Sequence, residues 1–279
     1  IFIIIGLLFK VSAVPFHMWA PDVYEGSPTP VTVFIASVPK VAVFIIFCRI
    51  LYEPFGLLVY HYEKIIYFVA ILSMVVGALG AINQTNFKRL LAYSAMNHVG
   101  FMLIALVHID DESLRSLILY LVIYSITIIG AFAFLMAIKQ SHFSNDVADK
   151  KPLEDLSALS GLSSTSPYIA FAITILMLSM AGLPPFAGFF AKFFILMVAL
   201  NNSFVELALL GAISTVVAAF YYLRVIKIIY FDKPIEEYNK KPTLATVIVL
   251  VITVLFNLLL FLNPVILLGL IKGSTAFIF

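Results

Sequence analysis

Residues 167–199 read PYIAFAITILMLSMAGLPPFAGFFAKFFILMVA. The run contains no acid, and Lys192 is its only charge. About 20 mainly apolar residues cross the hydrocarbon core of a bilayer, so this stretch is long enough to span it. Barrel strands would alternate in polarity, whereas this run is continuously apolar, so it is helical. Gly182-Leu183-Pro184-Pro185 interrupts the run about ten residues before Lys192. Two consecutive prolines remove two backbone donors and break a helix. In membrane transporters, broken helices place freed carbonyls and half-helix ends at the midplane, where charge is handled. The reading for this span is therefore a functional break beside a buried lysine.

The same signature extends over the chain. Of 279 residues, 63% are hydrophobic and 11% charged, against roughly 25% charged in ordinary soluble domains. No soluble core hides that much apolar surface, so the fold class is all-α, a polytopic membrane helical bundle. Eight spans are expected, at about 1–19, 30–51, 64–83, 88–108, 113–139, 167–199, 203–230 and 243–271. The first span carries Pro15, which by itself predicts a kink. The opening IFIIIGLLFK has no Met and no charged leader, and it reads as the middle of a helix, hence as an N-terminally truncated piece of a longer protein. Cys48 is the only cysteine, so neither a disulfide framework nor a cysteine metal site is expected. The net charge of +2 is spread over loops and spans and points to no nucleic-acid partner.

Loop charges give an orientation. Lys88, Arg89, Lys139, Lys150, Lys151, Arg224, Lys227, Lys233, Lys240 and Lys241 fall on one side, and Arg49, Lys64, Arg115 and Lys272 on the other. The lysine- and arginine-rich side is cytoplasmic by the positive-inside rule, which places the C-terminus outside. In the longest connection, about 140–166, the LEDLSAL segment is expected to form a short surface helix.

Three lysines lie inside apolar runs: Lys10, Lys40 and Lys192. An ammonium at the bilayer centre costs about 2.5–3.5 kcal/mol on insertion scales. Such a residue normally faces a bundle interior or a wet cavity. Burial disfavours a lysine's charged form and a nearby carboxylate restores it, so a buried amine can load and release a proton as its partner moves. Lys10 either sits mid-span or snorkels to an interface. Lys40 follows Pro39, whose missing N–H frees a carbonyl for a proton, a water or the lysine itself. His98 lies in a polar stretch with Tyr93, Ser94 and Asn97, and Ser94 shares its helix face at i, i+4. It is either a packing histidine or a member of a proton relay. His17, near Trp19, is as consistent with an interfacial or capping role as with a relay. No Asp or Glu lies clearly mid-span, so the amines lack an acid partner within this chain. Phosphate loops, metal spacings and nucleophile elbows are absent from the sequence.

FKVSAVPFHMWAPDVYEGSPTPVTVFIASVPK, NFKRLLAYSAMNHVGFMLIAL and AGLPPFAGFFAKF together resemble the antiporter-like membrane subunits of respiratory complex I. The resemblance covers nearly the whole chain. PFHMWAPDVYEG resembles the subunit N group, related to mitochondrial NADH dehydrogenase subunit 2, more than the L and M groups or Mrp-type sodium/proton antiporters. The resemblance implies a single membrane domain over 1–279. Residues 1–51 would be the last two helices of a first inverted repeat, 64–230 the second repeat, and 243–271 the C-terminal helix. It implies broken helices at spans one and six, with breaks at Pro15 and at Pro184 and Pro185, and a key glutamate in a helix preceding residue 1. It implies a proton relay through Lys10, Lys40, His98 and Lys192, with His17, Tyr93, Ser94 and Asn97 as polar support. Pro39 departs from the serine or other small residue expected before Lys40. The implied protein is a subunit of a proton-translocating NADH:quinone oxidoreductase in the bacterial cytoplasmic membrane, partnered by other membrane-arm subunits. It carries no cofactor of its own, since NADH, flavin, iron–sulfur clusters and quinone are bound elsewhere. The rival readings are a sodium/proton antiporter subunit and an inert membrane scaffold.

Overall fold

The computed structural model describes residues 1–141, 154–234 and 242–262. Eleven α-helices are found among them: α1 Phe2–Lys10, α2 Trp19–Gly26, α3 Thr29–Tyr52, α4 Val59–Ile82, α5 Phe87–Val107, α6 Asp111–Ser141, α7 Leu162–Thr165, α8 Pro167–Ala181, α9 Ala187–Asn201, α10 Val205–Phe231 and α11 Leu244–Leu262. Six of these, α3, α4, α5, α6, α10 and α11, are long and apolar enough to cross a membrane. The shorter pairs α1/α2 and α8/α9 are the halves of two broken spans. Expected and observed helices therefore agree along the described chain, with ends moved by a few residues.

The bundle is built around α5. Nearly every residue from Phe87 to Val107 is buried, which fits a helix surrounded by protein rather than lipid. Helices α2, α3, α4, α6, α9 and α10 all pack against it. Asn86 caps its start, its Oδ1 accepting from Lys88 N (2.9 Å) and Arg89 N (3.1 Å). Helices α4 and α5 approach closely at their glycines. A Cβ added to Gly77 would lie 2.4 Å from Asn97 N, and one on Gly100 would lie 2.7 Å from Met74 N. Lipid gives helices no hydrophobic reason to associate, so such close backbone approach supplies the packing instead. The outer helices turn apolar side chains outward, among them Phe34 and Ile46 on α3, Phe68 on α4, and Val216 and Phe220 on α10, as a lipid-facing surface requires.

Three expectations need correction. Lys10 is exposed rather than buried, because α1 packs on α3 at the edge of the bundle and no described residue covers the face that carries the lysine. The kink read from Pro15 alone gives way to the break that the resemblance implies for span one, since α1 stops at Lys10 and α2 begins at Trp19. The LEDLSAL segment contains a 3₁₀ turn, Leu156–Leu159, with Leu156, Ala158 and Leu159 buried, so it is tucked against the bundle instead of lying on the surface. Its neighbours hold it there: Phe87 N donates to Glu154 O (2.7 Å) and Leu156 N to Thr85 O (2.7 Å). The orientation assigned to the C-terminus lies outside the described residues.

Gly77→Ala is expected to lower the stability of the detergent-solubilised protein by about 1–3 kcal/mol, because the added methyl meets fixed backbone of α5. A drop in midpoint temperature by thermal unfolding checks this, with an Ala78→Gly control expected to have the smaller effect.

Candidate functional site

One rule of backbone chemistry makes both breaks. A helical carbonyl bonds the N–H four residues on. For Ala181 that residue is Pro185, and for Val11 it is Pro15, neither of which has an N–H. Each break thus leaves an orphaned carbonyl in an apolar setting, where no water satisfies it. At the second break the chain turns through Gly182 in the left-handed region (φ +81°), with Gly182 N bonded to Ser179 O (2.9 Å) and Leu183 N to Leu178 O (3.2 Å). Lys192, one turn into α9 and 4% exposed, donates from Nζ to Ala181 O at 3.0 Å. Its stem lies on Gly182, where a Cβ would be 2.7 Å from Lys192 Cδ, and its ammonium sits 5.2 Å from the Phe101 ring centre. At the first break, Ser12 Oγ donates to Val11 O (2.5 Å) and Trp19 Nε1 to Phe9 O (3.1 Å). The prolines identified in the sequence therefore do create the breaks, and at the second one the lysine answers the carbonyl.

Lys40 is 2% exposed, within α3, which continues unbroken through Pro39. Its Nζ donates to Tyr124 Oη at 3.3 Å on α6, rather than to a carbonyl freed by Pro39. It also lies 5.9 Å from the ring centre of buried Tyr24 on α2. His98 on α5 stands next along this line, with its ring centre 5.2 Å from that of Tyr124. Both of its ring nitrogens are engaged: Nδ1 with Tyr120 Oη (2.7 Å) and Nε2 with Tyr222 Oη (3.2 Å). Tyr222 Oη in turn lies 2.5 Å from Ser94 Oγ. Tyr120 stacks on Phe101, the ring beneath Lys192. Lys40, His98 and Lys192 thus belong to one buried set spanning α3, α6, α5, α10 and α9.

Not every residue singled out in the sequence joins it. Lys10 remains apart on the exposed edge. His17 sits in the first break, partly buried, with Nδ1 lacking a partner. Tyr93 fills the space over Gly80. Asn97 ties helices together instead, donating from Nδ2 to Met74 O (2.8 Å) and Ser214 Oγ (2.6 Å). Of Tyr93, Ser94 and Asn97 on α5, only Ser94 shares a partner, Tyr222, with His98. Tyr120, Tyr124 and Tyr222 were missed by sequence reasoning. Tyr120 and Tyr124 at i, i+4 on an apolar helix were the available signal.

The end of the bundle that carries Lys88 is closed by ion pairs. Lys88 is 2% exposed and bonds Ser27 O (2.7 Å) and Glu154 Oε1 (2.8 Å). Lys139 pairs with the same carboxylate and bonds Thr29 Oγ1 (3.2 Å). Arg89 bridges Asp22 (2.7 Å) and Glu25 (2.9 Å) on α2. Glu154 is partly buried, which alone would raise its pKa, but the Lys139 and Lys88 ammoniums outweigh that and hold it below its ordinary value.

A sequence model of the family described as NADH:quinone oxidoreductase/Mrp antiporter, TM, matches residues 1–218. NADH-quinone oxidoreductase subunit N from Rhodospirillum rubrum is 45% identical over 264 residues, covering 95% of this chain and 53% of the relative. The chain spans about half the length of the curated relatives it matches. A chain of respiratory complex I from Thermus thermophilus superimposes with a TM-score of 0.80 at 33% identity, over 95% of this chain and 56% of that one. A chain of the Mrp complex from Dietzia sp. superimposes with a TM-score of 0.86 at 20% identity, over 98% and 57%, which is a likeness of fold.

Glu154→Gln is expected to cost about 3–5 kcal/mol at neutral pH, because it leaves the Lys88 ammonium buried without its counter-charge. A carboxylate whose folded pKa is depressed contributes stability at neutral pH that is lost as pH falls through that folded value. The parent and variant should therefore converge in acid, below the usual carboxylate range. Thermal unfolding against pH checks both parts.

Proposed function

The chain belongs to the NADH:quinone oxidoreductase/Mrp antiporter family of transmembrane proteins, and from that premise we propose that it is the relay-bearing part of a proton-translocating subunit of a bacterial NADH:quinone oxidoreductase. The observation that carries this reading is the buried set Lys40–Tyr124 and Tyr120–His98–Tyr222, with Lys192 beside it. Each member can accept a proton on one side and release one on another. His98 is engaged through both ring nitrogens, so a proton received at one face is matched by release at the other. Tyrosine hydroxyls are donor and acceptor at once. Lysines held in a lipid-embedded bundle are costly, and a relay gives them a use.

In this reading the end closed by Lys88, Arg89 and Lys139 faces the cytoplasm, because the positively charged connections gather there. Lys10 completes the relay from the exposed α1 edge once further chain or a neighbouring subunit covers it, and that covering element supplies the missing acid. Redox chemistry takes place in other subunits, which hold NADH, flavin, iron–sulfur clusters and quinone. The likeness to Mrp chains supports a second reading, sodium/proton exchange by the same lysines, which predicts transport that depends on sodium and not on NADH.

In the full-length protein assembled in its complex, Lys192→Ala is expected to abolish most NADH-driven proton pumping into sealed vesicles, with NADH–quinone turnover falling alongside. Pumping at the parental rate in an assembled complex would overturn the relay reading and leave an inert scaffold.

A further inference from the structure

Helix α11 lies at the rim of the bundle, packed on α6, α8 and α9, with Ile252, Leu255 and Leu259 exposed. One of its residues nevertheless reaches the second break. Asn257 is fully buried, and an amide in that setting is costly unless its hydrogen bonds are made. Its Nδ2 donates to Thr253 O (2.8 Å), and a carbonyl can only accept, so the amide has one orientation. Its Oδ1 therefore accepts from Ser179 Oγ on α8 (2.6 Å). Thr127 Oγ1 on α6 also lies 3.0 Å from Oδ1, but Ile123 O competes for its single proton at 2.7 Å, so the firm partner is Ser179.

Ser179 has one proton, and giving it to Asn257 leaves the oxygen's lone pairs to accept from Gly188 N (3.0 Å). Gly188 is the second residue of α9, where an N–H has no partner within the helix, and the N-cap residue Phe186 supplies no side-chain bond. The serine of one half-helix thus caps the start of the other. The halves also touch by backbone there, since a Cβ added to Gly188 would collide with Ser179 O. Ala181 follows Ser179 by two residues, and Lys192 follows Gly188 by four, on the same face of α9. The Ser179–Gly188 bond and the Lys192–Ala181 bond are therefore two rungs between the same half-helices. A helical serine with no outside acceptor turns its hydroxyl back to the carbonyl four residues earlier, here Ile175 O. Asn257 offers the acceptor that prevents this.

We propose that Asn257 is a positioning residue for Lys192. Acting from α11 through Ser179, it holds the start of α9 against the end of α8 at the spacing where Lys192 Nζ reaches Ala181 O. The inference rests on the relay reading, which makes the placement of Lys192 matter for pumping. Among the described residues, no hydrogen bond of Asn257 or Ser179 reaches Lys40, His98, Tyr120, Tyr124 or Tyr222. A change at Asn257 or Ser179 therefore bears on Lys192 before any other titratable group of the buried set.

The experiment uses the full-length protein in its assembled complex. Asn257→Leu keeps the volume and removes the amide, Ser179→Ala removes the hydroxyl, and Leu250→Ala is a packing control on the same buried face of α11. NADH-driven proton flux per assembled complex should fall about fivefold or more in Asn257→Leu and in Ser179→Ala, the rate equivalent of one lost hydrogen bond. The double variant should be no worse than either single one, because both remove the same rung. The pH profile of pumping should move by about half a unit in both, since charged and neutral amines bond a carbonyl unequally, and should stay in place in Leu250→Ala. Parental flux and profile in Asn257→Leu, beside a Lys192→Ala complex that does not pump, would leave the relay and remove the positioning role. Additive losses, an unmoved profile, or a Leu250→Ala profile that moves as far would also overturn it, reducing Asn257 to packing. Parental pumping in Lys192→Ala would overturn the relay reading and this inference with it. Should Asn257→Leu fail to assemble, a high-resolution map of the Ser179→Ala complex decides: a longer separation of Lys192 Nζ from Ala181 O supports the role, and an unchanged 3.0 Å overturns it.

Discussion

Everything at the centre of this bundle follows from the need to satisfy an amide carbonyl where water is absent. Pro185 cannot donate to Ala181 O, and lipid offers no substitute. The Lys192 ammonium answers that carbonyl at 3.0 Å, so a group that lipid would reject and a carbonyl that a helix would strand resolve each other's cost. Gly182 makes the arrangement possible twice over, by taking the left-handed turn and by leaving room for the lysine stem. A lysine held this way is fixed without a carboxylate, which leaves its charge open to its surroundings rather than locked in an ion pair.

The second organising element is α5, which carries the line of contacts because it touches almost every other span. Its glycine-mediated approach to α4 brings Asn97 within reach of Met74 O and Ser214, while Ser94 and His98, beside it around the helix, meet Tyr222. The charged clasp of Lys88, Glu154 and Lys139 then fixes the end of that helix against the junction of α2 and α3 and against the connector before α7.

Much of this was legible in the sequence because membrane helices carry a strong signal. Apolar runs marked the spans within a few residues, and the double proline marked the second break. Lys40, His98 and Lys192 were identifiable because their residue types are rare in lipid. The tyrosines were not, since Tyr120, Tyr124 and Tyr222 are ordinary in apolar helices and acquire meaning only when α6 and α10 bring them to His98. Pro15 alone suggested a kink, because a single missing N–H does not distinguish a bend from a break without the backbone path on either side. Lys10 misled for a different reason: depth in an apolar run predicts burial only if something covers that face, and the described helices do not.

The bond from Trp19 Nε1 to Phe9 O joins the only indole of this chain to the backbone of the first break. Indole emission shifts with the polarity around the ring and with the bond at its nitrogen. The molecule therefore carries a built-in optical label beside Lys10, and a motion that parts α1 from α2 changes the colour of its fluorescence without any added probe.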